Sequence, residues 1–157
     1  MKKIFPLLVM VAIISSSCMD NNNCTYCNPY PTPFVFTLFP SLTGTSMIND
    51  STYIPDSIQL YYLKNNVQEP VNFVISNSNY FGNYIYTTDI SKVSAGENIK
   101  TFYLHLSQTE TDTIYFDCKV VNDGCCTYYN YDSLSYNGKV MPYSSIYGLY
   151  FFIKSQP

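Results

Sequence analysis

Apolar and polar residues alternate along most of the chain with a period of two, in short runs rich in Tyr, Phe and Ile. Asn, Asp, Gly, Ser and Pro separate these runs, which predicts β-strands joined by turns. In one run, Ile114, Phe116, Cys118 and Val120 fall on one face and charged or tyrosine side chains on the other. The predicted strands are residues 34–39, 57–63, 71–75, 84–88, 99–106, 113–121, 126–131, 133–140 with a bend, and 147–153.

Eight or nine strands spaced about a dozen residues apart predict an all-β domain over residues 34–157, built as an immunoglobulin-like sandwich of two antiparallel sheets. Asn137-Gly138 and Asp123-Gly124 tolerate the positive φ of tight hairpin loops, so the C-terminal third is expected to be a meander. Only residues 90–95 suggest a helix.

The first seventeen residues have the features of an export signal. Lys2 and Lys3 precede an apolar stretch over residues 4–14, and three serines follow. The apolar stretch is too short to span a bilayer, which takes ~20 residues. We therefore expect cleavage of residues 1–17, from an ordinary secretory signal or from a lipoprotein signal.

The small residues directly before Cys18 resemble the lipobox of bacterial lipoproteins, in its relaxed Bacteroidota-type form. Ser15 stands where that family usually has Leu, with Ile14 one place earlier. The resemblance implies that the Cys18 thiol receives a diacylglyceryl group and becomes the new N-terminus. Residues 18–33 then form the lipidated cysteine, a flexible tether and a Cys- and Pro-rich lead-in to the first strand.

Composition narrows the functional classes. The chain is 46% hydrophobic, 17% aromatic and only 12% charged, which excludes a disordered chain or a coiled coil. It contains no Arg, and its eight Lys are scattered among eleven acids, so we expect no nucleic-acid partner. Such an acidic surface is not drawn to anionic lipid, so membrane attachment is expected from the lipid alone.

Beyond Cys18, five cysteines are disulfide candidates in an oxidising compartment: Cys24, Cys27, Cys118, Cys125 and Cys126. The favoured pattern joins the N-terminal pair to two of the three later cysteines. Cys118, on an apolar face, is then the best candidate for a buried free thiol. A zinc site or a redox Cys-x-x-Cys remains an alternative for the early pair.

Catalytic signatures are scarce. His105 is the single histidine, and the six glycines are isolated, so no phosphate-binding loop is present. Five acidic residues could supply the carboxylate pair of a hydrolase: Glu97, Glu110, Asp112, Asp117 and Asp123. No pattern in the sequence selects two of them. We expect no enzyme activity, no cofactor and no metal.

Tyrosine is the one compositional excess, with 17 residues, notably in segments 61–62, 128–131 and 147–152. Such rings serve protein interfaces and sugar stacking, or simply cover sheet faces. Four hydroxyl residues follow an Asp and resemble the Asp-Ser/Thr-aliphatic O-glycosylation sequon of exported Bacteroidota proteins: Ser51, Ser57, Thr113 and Ser133. Strands also often begin with such a sequence.

Together, the export site, the early Cys24 and Cys27 and the late Asp123-Gly124-Cys125 resemble small Bacteroidota-type envelope lipoproteins, a group with no agreed activity. We expect a lipid-anchored protein of the cell envelope. The favoured location is the outer membrane, on either its periplasmic or its outer side. Its first expected role is a non-enzymatic accessory or binding module for an outer-membrane protein. The alternatives are a carbohydrate-binding lipoprotein of a glycan-uptake system and a small envelope hydrolase.

Overall fold

Two β-sheets pack face to face in the computed structural model, which describes residues 31–41, 44–49, 51–122, 124 and 126–154. The predicted all-β sandwich is confirmed, with eleven strands among these residues instead of eight or nine. The strands are β1 Phe34–Phe39, β2 Gln59–Lys64, β3 Val67–Pro70, β4 Val74–Ser78, β5 Gly82–Thr87, β6 Thr101–Ser107, β7 Glu110–Asn122, β8 Thr127–Tyr136, β9 Lys139–Val140, β10 Tyr143–Ser144 and β11 Leu149–Ile153.

The first sheet has the order β10-β11-β1-β5-β4, and the second has the order β3-β2-β6-β7-β8-β9. Strands β6 to β9 form the predicted meander of hairpins. All named pairs are antiparallel except β1 with β11, where Phe36 lies opposite Tyr150 in a parallel pair. The chain leaves the second sheet after β9, enters the first sheet as the edge strand β10, and reverses direction into β11, which therefore runs beside β1 in the direction of β1.

Alternating residues of both sheets supply the core. On β1, Phe34, Phe36 and Leu38 are fully buried, and on β7 Ile114 and Phe116 are as well. The ring of Phe34 lies 4.8 Å from that of Phe116, so aromatic side chains of the two sheets are in direct contact. Burying each such side chain contributes about 1.5–3 kcal/mol.

The β7–β8 hairpin differs from the sequence prediction in three details. Residues 126–131 and 133–140 were expected to form separate strands, but β8 is continuous and has a bulge at Asp132. A bulge accommodates one extra residue without ending the pairing. The connection spans residues 123–126 and not Asp123-Gly124 alone, and Cys118 lies opposite Tyr131. Val120, expected on the core face, is exposed.

Two hairpin turns have the backbone that their residues favour. Asn137-Gly138 joins β8 to β9 with φ values of 48° and 75°, as predicted. Asn65-Asn66 joins β2 to β3 with φ values of 53° and 63°. Both turns have positive φ at both central residues, which suits the twist of a two-residue hairpin. The sequence analysis missed the second turn, and with it β3.

One helix, α1, spans Asp89–Glu97 and extends the predicted 90–95 segment at both ends. It ends at Asn98 in the left-handed conformation, which closes the last turn. Ser94 anchors the helix to β7, because its hydroxyl donates to the carbonyl oxygen of Phe116 (2.9 Å) and accepts from the amide of Cys118 (3.0 Å).

Several predictions concern residues outside the described ranges: the export signal over residues 1–17, the lipidation site Cys18, and Cys24, Cys27 and Cys125. Among the residues that are described, no helix has the length and apolar character needed to cross a bilayer.

The Asn65-Asn66 turn provides a test of the fold. Asn66→Val is expected to lower the free energy of unfolding by about 1–2 kcal/mol, since a β-branched residue is strained at positive φ. Asn66→Gly should retain or raise stability, because glycine adopts this conformation freely. Urea unfolding measures both. Asn79→Val is the matched control, an exposed position in the β4–β5 turn without positive φ; an equal loss in the control would refute the explanation.

Candidate functional site

An aromatic groove lies on the outer face of the first sheet, and we define it by Tyr80, Phe81, Tyr84, Tyr86 and Tyr147. On β5, two of these tyrosines flank the fully buried Ile85, so strand alternation directs them away from the core. Two further rings come from the β4–β5 turn, and Tyr147 comes from the β10–β11 connection. The groove therefore joins two regions that are far apart in the sequence.

Contacts between rings organise this groove. The Phe81 ring centroid lies 5.7 Å from that of Tyr84 and 5.4 Å from that of Tyr147. Tyr80 is 84% exposed, and its ring lies 6.3 Å from Tyr147. The Phe81 ring thus packs against those of Tyr84 and Tyr147, while the Tyr80 ring is exposed to solvent. The groove has a volume of about 480 Å³.

Among the described residues that line the aromatic groove, none carries a charge. Its polar atoms belong to tyrosine hydroxyls, Asn77 and Ser78, and the amide of Asn77 is held by a 2.8 Å hydrogen bond to Asn83. A surface of rings and neutral hydrogen-bonding groups suits an uncharged amphipathic ligand. It offers no counter-charge to a phosphate or a metal ion.

A second depression of about 340 Å³ continues the aromatic groove towards Thr32. The two share Val35, Tyr86 and Gly148 in their linings. In the second depression, the hydroxyl of Tyr131 donates to the Thr32 carbonyl oxygen and contacts the Ser91 hydroxyl. Burial raises the pKa of Tyr131 to about 12, so this lining too is neutral at physiological pH.

The tyrosine segments singled out from the sequence divide between several places. Tyr61 stacks on Tyr103 on the outer face of the second sheet, with ring centroids 5.3 Å apart, while Tyr62 is buried in the core. Tyr147 and Tyr150 line the grooves. The sequence analysis did not single out the tyrosines of β5, whose signal is the Tyr-Ile-Tyr alternation at residues 84–86.

A largely buried ionic cluster, the Lys154 clasp, links the two sheets; it consists of Lys154, Asp112, the half-buried Glu110, Tyr53 and Tyr136. The Lys154 ammonium lies 2.8 Å from a Glu110 oxygen and 2.5 Å from an Asp112 oxygen. Its side chain is 9% exposed and follows β11, whereas both acids lie on β7. Tyr136 donates a hydrogen bond to Asp112, and Tyr53 donates one of 2.9 Å to Glu110.

The clasp brings together two of the five acids considered for a hydrolase pair. Because Glu110 and Asp112 both bind one nitrogen, their oxygens are close enough for the spacing that acid pairs require. Each acid, however, is already occupied by donors of its own chain, including Asn137, whose amide lies 2.8 Å from Asp112. Burial, followed by the hydrogen bond to the neighbouring carboxylate, raises the pKa of Tyr53 and of Tyr136, which keeps both phenols protonated donors.

The other predicted acids are engaged elsewhere. Glu97 pairs with Lys64 at 2.7 Å and Asp117 with Lys100 at 2.7 Å, and Asp123 lies outside the described residues. His105 is on β6, where its Nδ1 lies 3.0 Å from the Thr111 hydroxyl. Within the described ranges, no three His, Cys, Asp or Glu side chains are grouped as a metal site would require.

The cysteine predictions are partly resolved. Cys118 is a free thiol and buried, so it is no longer a disulfide candidate; it occupies the position for which the sequence indicated a free thiol. Burial, followed by the charges of Asp117 and Asp132, raises its pKa to about 11. Cys126 is disulfide-bonded.

The four glycosylation candidates differ in accessibility. Ser51 and Ser57 are exposed in the connection between β1 and β2, and Ser133 is exposed on β8. Thr113 is half-buried within β7, directly after Asp112 of the Lys154 clasp. The Asp112-Thr113 motif therefore has a structural role.

Comparisons with protein-family models, with curated proteins and with solved structures find no match to the chain.

Replacement of Lys154 tests the clasp. Lys154→Met should lower the free energy of unfolding by about 3–5 kcal/mol, because it leaves the buried Asp112 and the half-buried Glu110 without a counter-charge. Guanidinium unfolding at neutral pH measures this loss. Lys92→Met is the matched control: it removes an exposed ion pair to Asp89 and should cost no more than about 1 kcal/mol. Similar losses in the two variants would contradict the proposed role of burial.

Proposed function

We propose that the protein is a non-enzymatic binding module of the cell envelope, held at the membrane by lipid on Cys18, and that the aromatic groove is its binding surface. The observation that carries this proposal is the continuous aromatic lining without a charged side chain. Tyrosine rings bury large areas at low conformational cost, and they dominate many binding interfaces.

The construction of the groove favours binding without large rearrangement. Tyr84 and Tyr86 are fixed on a central strand, since β5 pairs with β1 on one side and with β4 on the other. Tyr147 rests against Phe81 and Phe151. The volumes of about 480 and 340 Å³ fall in the usual range for small-ligand sites, roughly 300–1,000 Å³.

Engagement of the candidate catalytic groups by their own chain supports a binding role over catalysis. The acid pair of the Lys154 clasp, Glu110 and Asp112, is bound by Lys154 and lies outside the lining of both depressions. A general acid or base has to reach a substrate proton within hydrogen-bond distance. The residues of the aromatic groove offer instead rings, hydroxyls and an amide.

A more specific candidate function is carbohydrate binding in a glycan-uptake system. A sugar ring has an apolar face and a rim of hydroxyls, which matches a tyrosine ring bordered by Asn77 and Ser78. The absence of charge in the lining favours a neutral glycan over an acidic one. A protein partner at the outer membrane is the alternative occupant of the same surface.

Substitutions that remove single aromatic rings test whether the aromatic groove is the binding surface. We expect retardation of the protein in native gels containing one of a panel of neutral polysaccharides: laminarin, starch, xylan or mannan. Tyr80→Ala and Tyr147→Ala should each weaken binding roughly 10- to 30-fold, the loss of an interface anchor. Tyr128→Ala, an exposed tyrosine on the second sheet, is the control and should bind as wild type.

If none of the four polysaccharides retards the protein, binding to these neutral glycans is rejected, but a binding surface for another ligand is not. In that case, capture of an outer-membrane protein by the wild-type chain but not by Tyr147→Ala would support a protein partner. Equal effects of the groove and control variants would reject the groove itself.

Metabolic labelling with a radioactive fatty acid tests the anchor. The full chain should incorporate label, and Cys18→Ala should lose it, because the thiol is the acceptor in lipoprotein processing. Intact mass should correspond to a chain that begins at residue 18 plus lipid. Additional mass in hexose steps would support glycosylation at exposed sites such as Ser51 and Ser57. Label that persists in Cys18→Ala would overturn the proposed attachment site.

A further inference from the structure

The Lys154 clasp differs in burial and in composition from the other ion pairs of the described residues. Its lysine side chain is 9% exposed, and its nitrogen contacts two carboxylates, those of Glu110 and Asp112. One cation therefore faces two acids in a site where charge is costly. Each of the other pairs joins one acid to a lysine that is at least 32% exposed: Lys64, Lys92, Lys100 and Lys119.

The geometry of the clasp brings an amine nitrogen next to a carboxyl carbon. Nζ of Lys154 lies 2.5 Å from Oδ2 of Asp112, which places it about 3–3.5 Å from Cγ, the separation of a near-attack geometry. The same nitrogen lies 2.8 Å from Oε1 of Glu110, so this acid is within reach of its protons. Both Asp112 oxygens accept further hydrogen bonds, Oδ2 from the Tyr136 hydroxyl and Oδ1 from the Asn137 amide at 2.8 Å.

We propose that the Lys154 clasp is a self-modification site, at which an amide bond forms between Nζ of Lys154 and Cγ of Asp112 with release of one water molecule. Glu110 carries the protons of this reaction. The bond joins the residue that follows β11 in the first sheet to β7 in the second sheet. The two sheets are then linked covalently as well as by packing.

The reaction starts when one proton moves from the Lys154 ammonium to Oδ2 of Asp112, and burial favours this neutral form of the pair. The Nζ lone pair attacks Cγ, and the Glu110 carboxylate accepts a proton from the nitrogen. The Asn137 amide stabilises the negative charge that develops on Oδ1. The bond between Cγ and Oδ2 then breaks, Glu110 returns its proton to the leaving oxygen, and water departs. No co-reactant is required.

The second acid favours this reaction over a permanent ion pair. Asp112 alone would balance the charge of Lys154, so charge neutralisation does not explain why Glu110 contacts the same nitrogen. The Tyr53 hydroxyl donates to Oε2 of Glu110 at 2.9 Å, which leaves Oε1 directed at Nζ. After the condensation, the half-buried Glu110 is the only charged group left in the clasp.

Tryptic digestion of the full chain, after reduction of its disulfides, tests the bond directly. Trypsin cleaves after lysine, so an unlinked chain yields separate peptides of residues 101–119 and 140–154. In the linked chain Lys154 is no longer a cleavage site. We therefore expect one species that joins residues 101–119 to residues 140–157, lighter than the two peptides together by one water molecule. Fragmentation should locate the link at Asp112.

The pair of Lys100 and Asp117 is a control within the same digest. Its nitrogen and oxygen are 2.7 Å apart, and Asp117 also lies on β7, but this lysine has a single acid partner. Cleavage after Lys100 should be complete, because no amide is expected to form there. Contact between a lysine and one acid is thus not expected to suffice.

Variants separate the roles of the three residues. Lys154→Arg keeps the positive charge but presents a guanidinium that does not act as the amine nucleophile, and Glu110→Gln keeps Lys154 and Asp112 but lacks the base. Both should give separate peptides and no loss of water. Wild type should migrate faster than either variant in denaturing gels, because residues 112–154 stay closed in a loop. Glu97→Gln removes an exposed acid outside the clasp and should be linked as wild type.

Separate peptides from the folded wild-type chain would overturn the proposal, as would a link at Glu110 instead of Asp112. A link that persists in Glu110→Gln would overturn the proton transfer assigned to that residue. The wild-type digest needs no variant, and circular dichroism shows which variants are folded. None of these results affects the polysaccharide assay, because the aromatic groove does not include the clasp. The proposed bond and the proposed function therefore fail separately.

Discussion

Cross-sheet packing of aromatic rings, centred on Phe34 and Phe116, is the interaction on which the rest of the structure depends. The ring of Phe152 stacks at 4.4 Å on that of Tyr136, so β11 of the first sheet also meets β8 of the second. On β5, strand alternation directs Ile85 towards this core and directs Tyr84 and Tyr86 to the outer face. The groove on the first sheet is the counterpart of that core.

The hydrophobic periodicity predicted the strands well, because burial of one face of a strand imposes an alternation of apolar and polar residues within that strand. The bounds of β1 were predicted as they are found, and the alternation of Ile114, Phe116 and Cys118 correctly identified the inner face of β7. Strand partners were less predictable, since they depend on how distant segments meet. No local pattern indicates that β11 runs parallel to β1.

The candidate site was less predictable than the fold for the same reason. Tyr147 meets Phe81 only after the chain has crossed between the sheets, and Lys154 meets Asp112 across 42 positions of sequence. Composition indicated an excess of tyrosine but not its distribution. Only 12% of the residues are charged, and Lys64, Lys100 and Lys154 are held in ion pairs away from the groove. Few charged side chains are therefore left to line the groove.

Burial of the free Cys118 thiol has a consequence for disulfide exchange. Disulfide exchange begins with a thiolate, and a pKa of about 11 leaves on the order of one thiol in a thousand ionised at pH 8. Ser94 of α1 additionally holds the Cys118 amide and so keeps the helix over this part of β7. While α1 is docked against β7, burial and protonation together leave the Cys118 thiol a poor nucleophile.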